Sequence, residues 1–186
     1  MILPHVARFL LKLGGWTAVG GLPKVRKAVY IGAPHTSNWD GFWALVFITA
    51  IGLKVKFFVK ESMFWFPLGS LLRAFGAIPL DRSKPGSSVS QAIAGFNENE
   101  EFYFGLAPEG TRSKTPGWKS GFYRIAEGAG VPVILGFFDY NRKRLGVGPM
   151  MTLTGDREAD LDIIRSFYSA TSGRWPEKTC PIVFTR

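Results

Sequence analysis

Apolar and polar positions along this chain switch repeatedly between two rhythms. Short apolar runs at residues 28–32, 54–59, 77–80, 101–106 and 131–138 predict strands. Between them, residues 39–51, 68–75 (after the Pro67 break), 87–97 and 119–127 carry the spacing of helices, and 160–170 of a last one. Residues 144–147 and 150–154 read as a terminal hairpin or edge pair. Apolar strands separated by helices predict an α/β fold: a single domain with a mostly parallel or mixed central sheet and helices on both faces.

At the front of the chain, Leu3, Val6, Phe9, Leu10 and Leu13 recur at helical spacing, while His5, Arg8 and Lys12 fall on another face. This is a short basic amphipathic helix. Charges interrupt its apolar stretch and Gly14-Gly15-Trp16 is a poor cleavage region, so it does not read as a signal peptide. Two roles stay open for it, lying on an anionic membrane surface or docking on the core. The longest apolar run, residues 41–53, falls short of the ~20 residues that span a bilayer and reads as a buried helix.

Composition narrows the class. At 186 residues the chain is one domain, organised as a front segment at 1–27, a motif-bearing core at 28–138 and C-terminal strands and helix at 139–186. A hydrophobic content of 46% with 15% aromatics excludes a disordered basic tail. The single cysteine, Cys180, excludes an intramolecular disulfide and a Cys-based zinc site; no metal is expected. The net charge is +9, and residues 1–56 hold seven basic groups against the lone acid Asp40. A basic front points to an anionic partner. Basic residues are not interleaved with aromatics in a recognisable binding fold, which argues against nucleic acid.

The chemistry gathers at strand ends. His35 and Asp40 stand five residues apart and would lie about 140° apart on one regular helix. A cap at Ser37 or Asn38 would leave His35 in the strand-to-helix loop and let the Asp40 carboxylate fold back onto the imidazole. A carboxylate on one ring nitrogen orients the ring and leaves the other free to take a hydroxyl proton. Alternatively, Asp40 serves only the helix dipole and His35 a backbone carbonyl. After a second strand, residues 105–113 pack Glu109, Gly110, Thr111 and Arg112 together, and after a third comes Arg82. Strand ends of an open α/β sheet converge on one edge, so these groups could share a pocket. Singly, either arginine could equally form a surface ion pair.

Taken in order, these segments resemble the glycerolipid acyltransferase superfamily, the relatives of 1-acyl-sn-glycerol-3-phosphate acyltransferase. Its four blocks match at His35/Asp40, at Gly76/Ile78/Arg82, at Pro108 to Ser113, and at Val131-Pro132-Val133. Lys60-Glu61 and the 118–121 segment match intermediate elements, so the resemblance covers about residues 28–138. It implies transfer of a fatty acyl group from acyl-CoA or acyl-carrier protein, as substrate, to a lysophospholipid hydroxyl, with no cofactor. The default acceptor is 1-acyl-sn-glycerol-3-phosphate. By that resemblance His35 is the general base, Asp40 orients it, and Arg82, Arg112 and Lys119 hold an anionic headgroup. Glu109, Gly110 and Thr111 would shape the site, and the helix after Asp40 and residues 63–66 could wall an acyl channel or simply be core.

Pro34 and Ala107 stand where the family often has Asn and Phe, and the stretch before Ala28 leaves little room for the two-helix membrane motif of longer bacterial relatives. The chain therefore looks like a short bacterial branch, cytoplasmic and peripheral on the inner face of the cell membrane. The rival functions are acyl transfer to another lysolipid, a thioesterase-like hydrolase that admits water in place of the acceptor, and a non-catalytic lipid-binding protein.

Overall fold

The computed structural model describes residues 2–80 and 87–185. In chain order the elements are α1 (Ile2–Leu13), β1 (Thr17–Val19), β2 (Lys27–Ala33), α2 (Asn38–Ile51), β3 (Val55–Lys60), α3 (Leu68–Ala74), β4 (Ala77–Leu80), α4 (Ser87–Glu98), β5 (Phe102–Leu106), α5 (Gly121–Ala129), β6 (Val133–Asp139), β7 (Arg144–Met151) and α6 (Arg157–Tyr168). The strands form one seven-stranded mixed sheet in the order β1-β7-β6-β2-β5-β3-β4. All neighbours are parallel except β6 and β7. The fold is thus α/β with helices on both faces.

The apolar run 27–33 becomes the central strand because it can bury both faces. Its even positions Ala28 and Tyr30 pack with Val55, Tyr103 and Ile134 under α2, while Val29, Ile31 and Ala33 enter the larger core with α4, α5 and α6. α2 is apolar nearly all round, and buries Val46, Phe47 and Ala50. Ser37 caps its N-terminus, and Gly52 at φ 75° ends it in the left-handed conformation that glycine adopts without strain.

Two elements differ from expectation. Residues 144–151 are one strand paired with β6, not a hairpin. Its register shifts opposite Ile134 and Gly136, where Gly148-Pro149 interrupts the apolar pattern. β1 pairs with β7 only at Arg144–Gly146, so the missing N–H of Pro149 leaves no ladder bond unmade on that side. β1 itself has three residues, too few to show a periodicity.

α1 docks on α2, but with a face one step round from its most apolar stripe. Ala7 and Leu11 are buried against Trp16, Val46, Phe47 and Ala50, and Arg8 Nε donates to the Ala50 carbonyl. Leu3, Phe9 and Leu13 remain 68%, 63% and 72% exposed. The helix therefore docks on the core and still presents an apolar stripe outward. Among the described residues no helix is long and apolar enough to cross a membrane.

Candidate active site

β2, β3, β4, β5 and β6 all run the same way, so the segments that follow them meet at one edge of the sheet. β2 is the switch point: the chain leaves it toward β3, and returns on its other side as β6. His35 follows β2, Glu109 to Arg112 follow β5, and Tyr140 follows β6.

Capping chemistry at the start of α2 builds the central pair. Ser37 is the N-cap, its hydroxyl accepting from Trp39 N, and Asp40 closes a capping box from the third helical position. Asp40 Oδ2 accepts from the Thr36 and Ser37 amides, each at 2.8 Å, and lies 3.2 Å from His35 Nδ1. The two readings of Asp40 are one geometry: the carboxylate that caps the helix also faces the imidazole. The Tyr140 hydroxyl donates to Oδ1 at 2.6 Å. Burial pushes the fully enclosed Asp40 carboxyl up, but the imidazole, the Tyr140 hydroxyl and the two amides outweigh it and hold the carboxyl below its usual range. His35 is 22% exposed, so the carboxylate side of the ring is fixed while the ring remains reachable. With Nδ1 turned to Asp40, Nε2 is the nitrogen available to a substrate.

Glu109 is placed beneath this loop. It is 2% exposed, its Oε1 accepts from the His35 amide at 2.9 Å, and its Oε2 has no hydrogen-bond partner among the described residues. Burial raises its pKa against the opposing pull of the His35 amide. Its contact with His35 is to the backbone, from below. Gly110 turns at φ 66°, and the Lys119 side chain lies so close that a Cβ there would meet its methylenes at 3.0 Å. The Lys119 amide donates to the Pro108 carbonyl, which ties the two segments together. Thr111 Oγ1 accepts from the Ser113 amide within its own turn. Arg112 is exposed and donates to Asn38 Oδ1 beside the dyad, not to Glu109. The structure thus brings His35, Asp40, Glu109, Gly110, Arg112 and Lys119 to one edge. Arg82 lies outside the described residues.

Sequence reasoning missed the C-terminal contribution. Residues 172–175 run over the dyad loop: the Trp175 amide donates to Thr36 Oγ1 at 3.2 Å, and the Ser172 carbonyl accepts from the Tyr140 amide at 2.9 Å. Arg174 lies 5.7 Å from the rings of both Trp39 and Trp175, a cation held between two half-exposed indoles. Around the same edge, Trp39, Phe42, Met63, Trp65 and Phe66 are exposed, Phe66 at 86%, so of residues 63–66 only Phe64 is even half-buried and the rest are surface. Among the described residues no group of three or more His, Cys, Asp or Glu side chains is placed to hold a metal ion.

The fold is similar to that of the 1-acyl-sn-glycerophosphate (LPA) acyltransferase PlsC from Thermotoga maritima, with a TM-score of 0.62 at 18% identity over 93% of this chain and 79% of that one. No curated protein matches the sequence significantly. The family model described as Acyltransferase matches residues 19–134, which take in the β2 loop with its His-Asp pair and the Glu109 to Arg112 turn. This chain therefore belongs to the acyltransferase family.

Proposed function

We propose that this protein transfers an acyl group from a thioester donor, acyl-CoA or acyl-carrier protein, to the free hydroxyl of a lysophospholipid, with 1-acyl-sn-glycerol-3-phosphate as the first acceptor to test. The observation that carries this reading is the His35 imidazole, 3.2 Å from a buried carboxylate and still reachable, in a family that moves acyl groups. His35 Nε2 takes the acceptor's hydroxyl proton as its oxygen attacks the thioester carbonyl. The tetrahedral adduct collapses, the C–S bond breaks, and the departing sulfur receives the proton from the imidazolium. Nothing is oxidised or reduced. General base catalysis of this kind supplies about 10²–10⁴-fold. Asp40 holds the ring and stabilises the imidazolium; Glu109 holds the backbone under it.

Arg112 and Lys119, with Arg82 by resemblance, bind the anionic headgroup, and Gly110 and Thr111 form the turn that brings the first two together. The exposed apolar stripe of α1 and the aromatics on α2 and at residues 63–66 rest on the membrane surface from which the acceptor is drawn. Arg8 and Lys12 of α1 provide the complementary charge for anionic lipid, at about 1 kcal/mol each near such a surface.

Purified protein is assayed for thiol release and lysolipid acylation, with the two donors offered separately against a panel of lysolipids. Acylated product that vanishes in His35→Ala supports the reading, as does a raised acceptor KM in Arg112→Ala. Thiol release without acylated product points to the hydrolase, and full turnover by His35→Ala refutes the mechanism.

A further inference from the structure

Asp40 is bound by four groups, three of which are local in the chain. Thr36, Ser37 and His35 all lie within five residues of it and all address Oδ2. They hold one oxygen and leave Oδ1 to a partner from outside the loop. Tyr140 is a hundred residues away and alone among the described residues addresses Oδ1, through a charge-assisted bond of 2.6 Å. It lies beyond the stretch the family model covers.

The Tyr140 ring is itself held. Its edge meets Trp16 at 4.9 Å with the planes at 82°, Trp16 leans on Trp43 of α2 at 5.6 Å, and the Lys143 ammonium lies 5.0 Å from the Trp16 ring. Its amide is tied to Ser172 and the turn that follows is tied by Asp139 to Arg142. Trp16 stands where α1 ends, and the next residue, Thr17, donates its amide to the Lys143 carbonyl at 2.8 Å. A continuous path of contacts thus runs from the end of α1 through Trp16 and Tyr140 to Asp40.

We infer that Tyr140 is a positioning residue for the dyad: its hydroxyl fixes the carboxylate that orients His35, and Trp16 seats its ring. This rests on the acyl-transfer reading for its kinetic consequences but not for its geometry. Charged and titratable groups facing Asp40 are His35 and Tyr140 directly and Glu109 from the β5 loop, with Arg174 beyond Tyr140. Removing the hydroxyl deprives the ionised carboxylate of one donor, so Asp40 takes up a proton more readily.

Tyr140→Phe removes only that hydroxyl. Expected is a fall in kcat of roughly ten- to a hundredfold, the range of a hydrogen bond to a charged group, with acceptor KM unchanged. In ligand-free protein the low-field imidazole Nδ1 proton resonance of His35 shifts or broadens. Trp16→Leu, which leaves the hydroxyl and loosens its seat, gives a smaller kcat loss of the same kind. Wild-type kcat and an unchanged resonance in Tyr140→Phe would overturn the inference. If wild-type protein shows no acyl transfer, the proposed function fails, while the imidazole resonance still decides the role of Tyr140.

Discussion

Asp40→Asn separates the charge of the buried carboxylate from its shape. An asparagine can place its amide oxygen where Oδ2 sits, accepting from Thr36 N, Ser37 N and His35 Nδ1, and turn its NH₂ toward the Tyr140 oxygen. The cap and the imidazole orientation therefore survive, and what disappears is the negative charge 3.2 Å from Nδ1. At that separation, with an effective dielectric of about 20–40 for a buried carboxylate beside a partly exposed ring, the charge favours the imidazolium by about 2.5–5 kcal/mol. At 1.36 kcal/mol per factor of ten, kcat falls roughly a hundred- to several-thousandfold, since the imidazolium forms only as the acceptor proton moves.

The assay is thiol release from the donor under saturating acceptor, with thermal unfolding measured on the same preparation. A Tm within a few degrees of wild type, together with that loss of kcat, is the expected outcome. Asp40 also contributes stability that is fully present above its unfolded-state pKa of about 3.9 and is lost as pH falls through the lower folded value. The variant lacks that contribution at every pH, so the difference in Tm narrows below pH 4. Asp40→Ala is the contrasting case: it leaves the Tyr140 hydroxyl and two amides without their acceptor, each costing about 1–3 kcal/mol, and is expected to unfold readily. A kcat for Asp40→Asn within about threefold of wild type would show that the carboxylate is a helix cap and nothing more, and the dyad argument would fall.

The legible half of the site is the half built by local chemistry. His35 and Asp40 could be paired from sequence because a cap at Ser37, read from residue type alone, solves the angular problem that a regular helix would pose. The Glu109 to Arg112 turn follows a strand and so lands on the same edge by the convergence of parallel strand ends. Tyr140 obeys the same rule, since it follows β6, but its value depends on β6 lying beside β2, and sheet order is not written in hydrophobic periodicity. Glu109 was legible as a site residue and not as a buried one, because burial depends on the segments packed over it. The two roles of α1 stayed open in the sequence for a related reason: its docking face is made by Ala7, Leu11 and the close approach of Gly14 to Trp43, and small residues carry little weight in an apolar pattern.

Glu109→Gln keeps the acceptor for the His35 amide and removes a charge whose raised pKa makes its ionised form unfavourable in the fold; its Tm relative to wild type should rise between pH 4 and pH 8, and a difference independent of pH would contradict this. Replacing Leu3, Phe9 and Leu13 together by serine should leave Tm nearly unchanged, since none is buried, and weaken sedimentation with anionic vesicles; equal binding would place the membrane contact elsewhere. The last prediction concerns the C-terminal segment. Gly173 lies so close to the dyad loop that a Cβ would stand 2.8 Å from the Thr36 side chain and 3.3 Å from Pro34. Gly173→Val must therefore lift residues 172–175 off that loop, loosening the bonds from Trp175 to Thr36 and from Tyr140 to Ser172. Overpacking of this kind costs about 1–3 kcal/mol, a Tm lower by roughly 2–12 °C in a chain of this size. If the segment only covers the core, kcat measured well below that Tm is unaffected. If it completes the site, kcat falls while the fold persists, and Gly173→Ala shows a smaller loss in the same direction; wild-type kcat in both variants would remove the segment from the active site.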